Sequence, residues 1–238
     1  MDSNNFPQPE RVLVISAHPD DPDFGAAGTV ALWTAQGTEV IYVIATDGSK
    51  GSSDPEMTGE RLVEMRQAEQ RAAAAEVGVK DVLFLGYPDG ATKNTEELRR
   101  DLVRLIRQHK PDLVITHDPT VRIRANNYLN HNDHRAVGDA ALDAIFPLAR
   151  DRLNFPEHEA DGLEPHKVLD IFLTFSEEAN YWVDISSVMD RKVKALRQHV
   201  SQFEDLDELE KYLRERTRKV AQHMSAEYAE SFRRVQIN

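Results

Sequence analysis

The chain reads as a single-domain, Rossmann-like α/β fold: a doubly wound, mostly parallel sheet with helices on both faces. Three observations predict it. Short runs of consecutive apolar, mostly β-branched residues recur along the chain, as parallel strands covered on both faces require. Amphipathic helical patterns alternate with those runs, the signature of βαβ units. At 238 residues, with no shift of composition, the length suits one large domain with a full core.

The elements follow in order. Val12 to Ser16 forms the first strand and about Phe24 to Gln36 the first helix. Val40 to Ile44 is strand two. The polar, glycine-rich stretch from Thr46 to Gly59 is a long loop, and long loops in compact domains are often functional. A helix from about Glu60 to Glu76 ends at Gly78, which suits a left-handed cap. Val82 to Leu85 is strand three, Glu96 to His109 a helix stopped by Pro111, and Leu113 to Thr116 strand four. The next helix opens near His131 and runs to about Ala149. Asp151 to His166 reads as an acidic surface loop. Val168 to Phe175 and Tyr181 to Ile185 are two further strands, and two polar amphipathic helices close the chain.

A sheet of order 3-2-1-4-5 reverses its winding between strands one and four, and the ligand crevice opens at that switch point. Two clusters of metal-type ligands follow those two strands: Ala17-His18-Pro19-Asp20-Asp21 and His131-Asn132-Asp133-His134. His18 and Asp21 are three residues apart across a helix entry, so both can face one point; His131 and His134 have the same spacing. Two imidazoles and a carboxylate converging there suit a catalytic zinc site with a position left open. Three protein ligands fill such a site and leave His131 as a spare acid or electrostatic group, while Asp20 points elsewhere and could reach water on the metal. A nucleotide site fails at this position, because two carboxylates stand where a phosphate would need glycine N–H groups. Gly25 and Gly28 come too late for that fingerprint and suit close helix–sheet packing. His109, His158, His166 and His223 lack such context and read as surface residues; His117, beside Asp118, stays open.

Composition bounds the partners. A net charge of −12 disfavours nucleic acid and anionic membranes. The absence of cysteine excludes thiolate ligands and disulfides. The first ten residues form a polar leader, and no apolar stretch approaches the roughly 20 residues of a membrane span. The expectation is a cytoplasmic protein acting on a small molecule, with a homo-oligomer left open.

At these residues the chain resembles the LmbE/PIG-L-type zinc-dependent N-acetylglucosaminyl deacetylases, which carry an Ala-His-Pro-Asp-Asp motif and a later His-x-Asp-His motif. The resemblance covers roughly Val12 to Phe203. It takes in Thr46-Asp47-Gly48, Leu85-Gly86-Tyr87-Pro88-Asp89, His117-Asp118-Pro119 and His199-Val200-Ser201-Gln202, and looks most like the diacetylchitobiose deacetylase branch. It implies zinc, with other divalent metals such as Fe2+ left open, held by His18, Asp21 and His134. It implies Asp20 as general base, His131 as acid or oxyanion stabiliser oriented by Asp133, and Arg66 and Asp118 holding hydroxyls of an N-acetylated amino sugar. The chain departs from the family pattern at Pro22, where Glu is common, and at Asn132, where Pro is usual. Two other functions compete: an iron(II) facial-triad oxygenase on the same three ligands, and a non-catalytic sugar-binding module. The loops at Thr46 to Gly59 and Arg122 to Asn130 are expected to rim the pocket.

Overall fold

The apolar runs do become buried strands. The computed structural model describes residues 7–238, so the expected polar leader lies outside the described residues as far as residue 6. In chain order the main elements are β1 (Arg11–Ser16), α1 (Asp21–Ala35), β2 (Glu39–Thr46), α2 (Gly59–Glu76), β3 (Asp81–Tyr87), α3 (Glu96–His109) and β4 (Leu113–His117). A small hairpin follows, β5 (Ile123–Arg124) and β6 (Tyr128–Leu129), then α4 (Asn132–Asp143). The second half holds α5 (Pro156–Ala160), β7 (Asp170–Thr174), β8 (Tyr181–Asp184), α6 (Met189–Leu196), α7 (Leu206–Ala221) and β9 (Ala229–Gln236).

The seven-stranded sheet has the order β3-β2-β1-β4-β7-β9-β8. Its first five strands pair in parallel, in the expected 3-2-1-4-5 arrangement. Alternate residues of β1 feed opposite layers, as a pleated strand requires. Val12 and Val14 pack with Val30 of α1, Ala73 of α2 and Val193 of α6. Leu13 and Ile15 pack with Leu102 of α3 and Val137 of α4. Both faces of the sheet are therefore covered. The carboxyl ends of β1 to β4 meet along one edge, and adjacency of β1 and β4 brings the two histidine clusters together.

Local signals set the helix ends. Thr58 and Thr95 accept the Arg61 and Leu98 backbone N–H groups and cap α2 and α3. Gly78 takes φ +79 just past α2, the left-handed conformation glycine adopts most easily. No helix among the described residues is long and apolar enough to cross a membrane.

Three expectations are corrected. The chain closes on a strand, because β9 inserts antiparallel between β7 and β8. The expected helix to Ala149 is broken at Phe146, whose φ −144 and ψ 120 are not helical, just before Pro147. The 151–166 segment carries α5, and His158 within it is buried at 2% exposure. The Arg107 guanidinium holds this segment, donating to the carbonyls of Leu148, Asp151 and Asn154 among others.

Close packing at α4 positions the second histidine cluster. A Cβ on Gly138 would lie 2.6 Å from the backbone oxygen of His117, and one on Gly28 only 2.7 Å from Ile185. The His117 oxygen is backbone and cannot yield as a side chain could. Gly138→Ala should therefore cost about 1–3 kcal/mol and push α4, which carries His134, away from β4. Thermal melting should show a lower Tm, and metal titration weaker binding; a variant unchanged in both would show that α4 has room to move.

Candidate metal centre

His18 follows β1, where the chain turns into α1. Asp20 occupies the N-cap with φ +91, yet its side chain makes no capping hydrogen bond. Residues other than glycine rarely adopt this region, at a cost of about 1–3 kcal/mol. The surroundings hold it there. The Asp20 N–H donates to Gln70 Oε1 at 2.7 Å, and its carbonyl accepts from Asp23 and Phe24. Gln70 Nε2 donates to Asp23 Oδ2 at 2.8 Å, which also faces His199 Nε2 at 2.9 Å. Gln70, Asp23 and His199 are all fully buried.

Two groups of donor atoms lie within 4.8 Å of one another: His18, Asp21 and His134, and His18, His131 and Asp133. Hydrogen bonding separates them. In the first, His18 Nδ1 lies 3.2 Å from Asp21 Oδ2, and His134 Nε2 lies 3.1 Å from Asp21 Oδ1. The far nitrogen of each ring is engaged elsewhere. His18 Nε2 is 3.2 Å from both Asp89 and Asp133, and His134 Nδ1 is 3.1 Å from Asn130 Oδ1. Acceptors at the far nitrogens fix the tautomers and leave His18 Nδ1 and His134 Nε2 as lone-pair donors, the arrangement metal-binding imidazoles use. In the second group, the Asp133 carboxylate is already consumed by Gly90 N–H (2.6 Å), Thr92 N–H (3.1 Å) and Asn132 Nδ2 (2.6 Å). The first group fits a metal ion and the second does not.

Electrostatics agree. Burial opposes a charge on His18, but hydrogen bonds to Asp133, Asp21 and Asp89 outweigh it and push the imidazole up to about 12. Asp20 is pushed up to about 6, first by burial and then by Asp21, against the pull of Arg66.

Several assigned residues do other work. The carboxylate of Asp133 orients His18, not His131: the His131 Nδ1 stands 3.8 Å from it and accepts the Asp133 backbone N–H instead. Arg66 is buried and donates to the carbonyls of Gly48, Lys50 and Pro19, so it fastens the loop after β2 to the loop after β1. Asp118 is also buried, its carboxylate accepting from Thr120 and Ser176. Both are thus committed largely to protein partners, with the buried Arg66 Nε left unpaired.

Three residues to which the sequence assigned no role belong to the site as well. Asp89 stands in a Pro-Asp-Gly turn directly after β3, a position at the correct end of the sheet. His117 underlies the site, stacked on His134 at 4.2 Å and 6°. Its Nε2 accepts the Ala17 N–H, and burial pushes its pKa down to about 4, so it is a neutral support. Asn132 bridges Gly90 and Asp133, a link proline could not make. A cavity of about 520 Å3 lies beside α3, away from the histidine clusters; one of about 270 Å3 opens on Asp21, His134 and Asn130 and has chemistry at its base.

The chain is similar to known proteins over most of its length. The chain is 37% identical over 211 residues to the diacetylchitobiose deacetylase of Thermococcus kodakarensis, covering 88% of this chain and 77% of that protein. It is 32% identical to a probable N-acetyl-α-D-glucosaminyl L-malate deacetylase 2 of Bacillus subtilis, covering 86% and 89%. The solved structure of N,N'-diacetylchitobiose deacetylase from Pyrococcus horikoshii, complexed with its inhibitor MPG, superposes with a TM-score of 0.90 at 33% identity, covering 98% of this chain and 86% of that one. The family profile described as PIG-L, GlcNAc-PI de-N-acetylase, matches residues 13–145, more than half of the sequence, and the chain belongs to that family.

Proposed function

We propose that the protein is a metal-dependent N-deacetylase that hydrolyses the acetamide of an N-acetylglucosamine-type sugar or glycoside to acetate and a free amine. The observation that carries this reading is the lone-pair geometry of His18 Nδ1, Asp21 and His134 Nε2, with Asp20 and His131 beside it and spent on no ligand role. A divalent metal there, zinc in our reading, would supply Lewis acidity that lowers the pKa of water and polarises the amide carbonyl.

The chain's own groups do the rest. Asp20 takes a proton from the attacking water. Its raised pKa, close to neutrality, suits a base that must also release that proton to the departing nitrogen. His131 accepts the Asp133 backbone N–H through Nδ1, so its proton sits on Nε2. Burial and the nearby His18 push its pKa down and favour this neutral form. The Nε2–H is then a fixed donor for the oxyanion that develops on the amide oxygen. An oxygenase on the same ligands would have no use for either group, which supports hydrolysis.

The test is release of amine from a panel of N-acetylated sugars, with metal content measured alongside. Wild-type protein should release amine, and Asp20→Asn should lose about 10²–10⁴-fold in rate while keeping its metal. Full activity in that variant at normal metal content would rule out the base; oxygen consumption without amine release would favour the oxygenase. Gln70→Leu should leave metal content unchanged and lower kcat by about 10–100-fold, with little change in KM, because Asp20 loses the contact that fixes its backbone. An equal effect on metal binding and rate would make Gln70 a general structural support.

A further inference from the structure

The two sides of the metal ligands differ, and the difference bears on the acyl group. The strand ends run β3-β2-β1-β4-β7 along the sheet, with His18 and Asp21 following β1 in the middle. On one side stand the loops after β2 and β3. There Arg66 Nη2 lies 3.7 Å from Asp20 Oδ2, and its Nη1 lies 3.8 Å from Asp89 Oδ2. Asp20 therefore faces that side. On the other side, after β4 and β7, the cavity of about 270 Å3 opens on Asp21 and His134. Phe24, Val121, Tyr128 and Phe175 wall it, and neither Asp20 nor His131 belongs to its lining.

The aromatic wall is held in place by its neighbours. Phe175 takes φ +58, rare for a bulky aromatic and kept only where surrounding contacts demand it. A Cβ on Gly25 would lie 3.5 Å from the tip of that ring and 3.0 Å from the Thr174 methyl, so the glycine in α1 leaves the ring its room. The ring lies 6.4 Å from the His134 ring at 17°. Two cations also line the cavity, and both are stacked: Arg216 lies 5.3 Å over Phe175, and Arg124 lies 5.0 Å over Tyr128.

Amide geometry assigns this space to one group. The acyl carbon of an amide is planar and carries oxygen, nitrogen and the acyl chain at about 120° to one another. The oxygen lies against His131 Nε2–H, and the nitrogen lies toward Asp20, which returns the proton to it. The third substituent then points away from both residues, and the cavity is the space beside the ligands that neither of them lines. An acetyl methyl is about the size of one water, about 30 Å3, and fills a small part of it.

Resting on the deacetylase reading, we propose that this cavity is an acyl pocket, and that the protein also hydrolyses amino sugars bearing unbranched N-acyl groups longer than acetyl. The water oxygen bonds to the acyl carbon and the C–N bond breaks. The water proton passes through Asp20 to the nitrogen, leaving an alkanoate and a free amine. Each methylene taken out of water into such a pocket strengthens binding by up to about fourfold.

Glucosamines carrying N-acetyl, N-propanoyl and N-butanoyl groups decide this, with released amine read as kcat/KM on metal-loaded protein. The two longer sugars should keep at least half the acetyl value. Val121→Phe, which fills the cavity, should cost the butanoyl sugar at least tenfold more than the acetyl one. Acetate and butanoate, titrated by calorimetry into the same metal-loaded protein, probe the pocket alone. Butanoate should bind about tenfold tighter, two methylenes' worth. A propanoyl or butanoyl value below half that of acetyl, or butanoate no tighter than acetate, overturns the acyl pocket; both readouts use wild-type protein and stand if Val121→Phe fails to fold. Equal losses on both sugars in a folded Val121→Phe protein overturn it too. Release of no amine from any of the three overturns the deacetylase reading instead, and the alkanoate ratio still decides the pocket.

Discussion

The His18 imidazole divides the site into two halves that depend on it. Its Nδ1 side faces Asp21, and its Nε2 side faces Asp89 and Asp133. These partners come from three places in the chain: the start of α1, the turn after β3 and the start of α4. A single ring thus ties the ends of β1, β3 and β4 together. It can offer Nδ1 to a metal only while Nε2–H is held by those carboxylates, and Asp133 is itself locked by the backbone of Gly90 and Thr92. Removing any of these contacts would free the ring to turn or change tautomer.

A second layer supports the reacting groups. Arg66 draws together the carbonyls of Pro19, Gly48 and Lys50, fixing two loops that carry no regular structure of their own. Gln70, Asp23 and His199 hold the backbone of Asp20 in a conformation it would not adopt alone. On the far side, the positive-φ Phe175 turns a ring over His134 and His117. Strained residues thus flank the centre on both sides, and each is over-determined by its neighbours.

The sheet order and the positions of the two histidine clusters were legible because β1 to β4 are runs such as Val12-Leu13-Val14-Ile15, whose burial on both faces leaves no alternative pattern. What sequence could not show was which atom each side chain spends. Helical spacing says that His131 and Asp133 lie near each other, but not that the carboxylate turns to His18 while the backbone N–H serves His131. Arg66 and Asp118 carried the right chemistry for a sugar, yet burial commits both to the protein. β9 was missed because Arg233, Arg234 and Gln236 mask its alternation, although Phe232 is buried in the core beneath it. The kink after α4 is likewise a product of tertiary packing that local pattern does not encode.

The geometry of the centre turns on which nitrogen of His18 meets the metal. The most direct measurement is a crystal structure of the zinc-loaded protein with anomalous data collected at the zinc edge. One peak should appear about 2.0–2.3 Å from His18 Nδ1, an Asp21 oxygen and His134 Nε2, with His18 Nε2 still against Asp89 and Asp133. A peak among His18 Nε2, His131 and Asp133 would contradict the account, because Asp133 would then have left the backbone groups that are said to lock it.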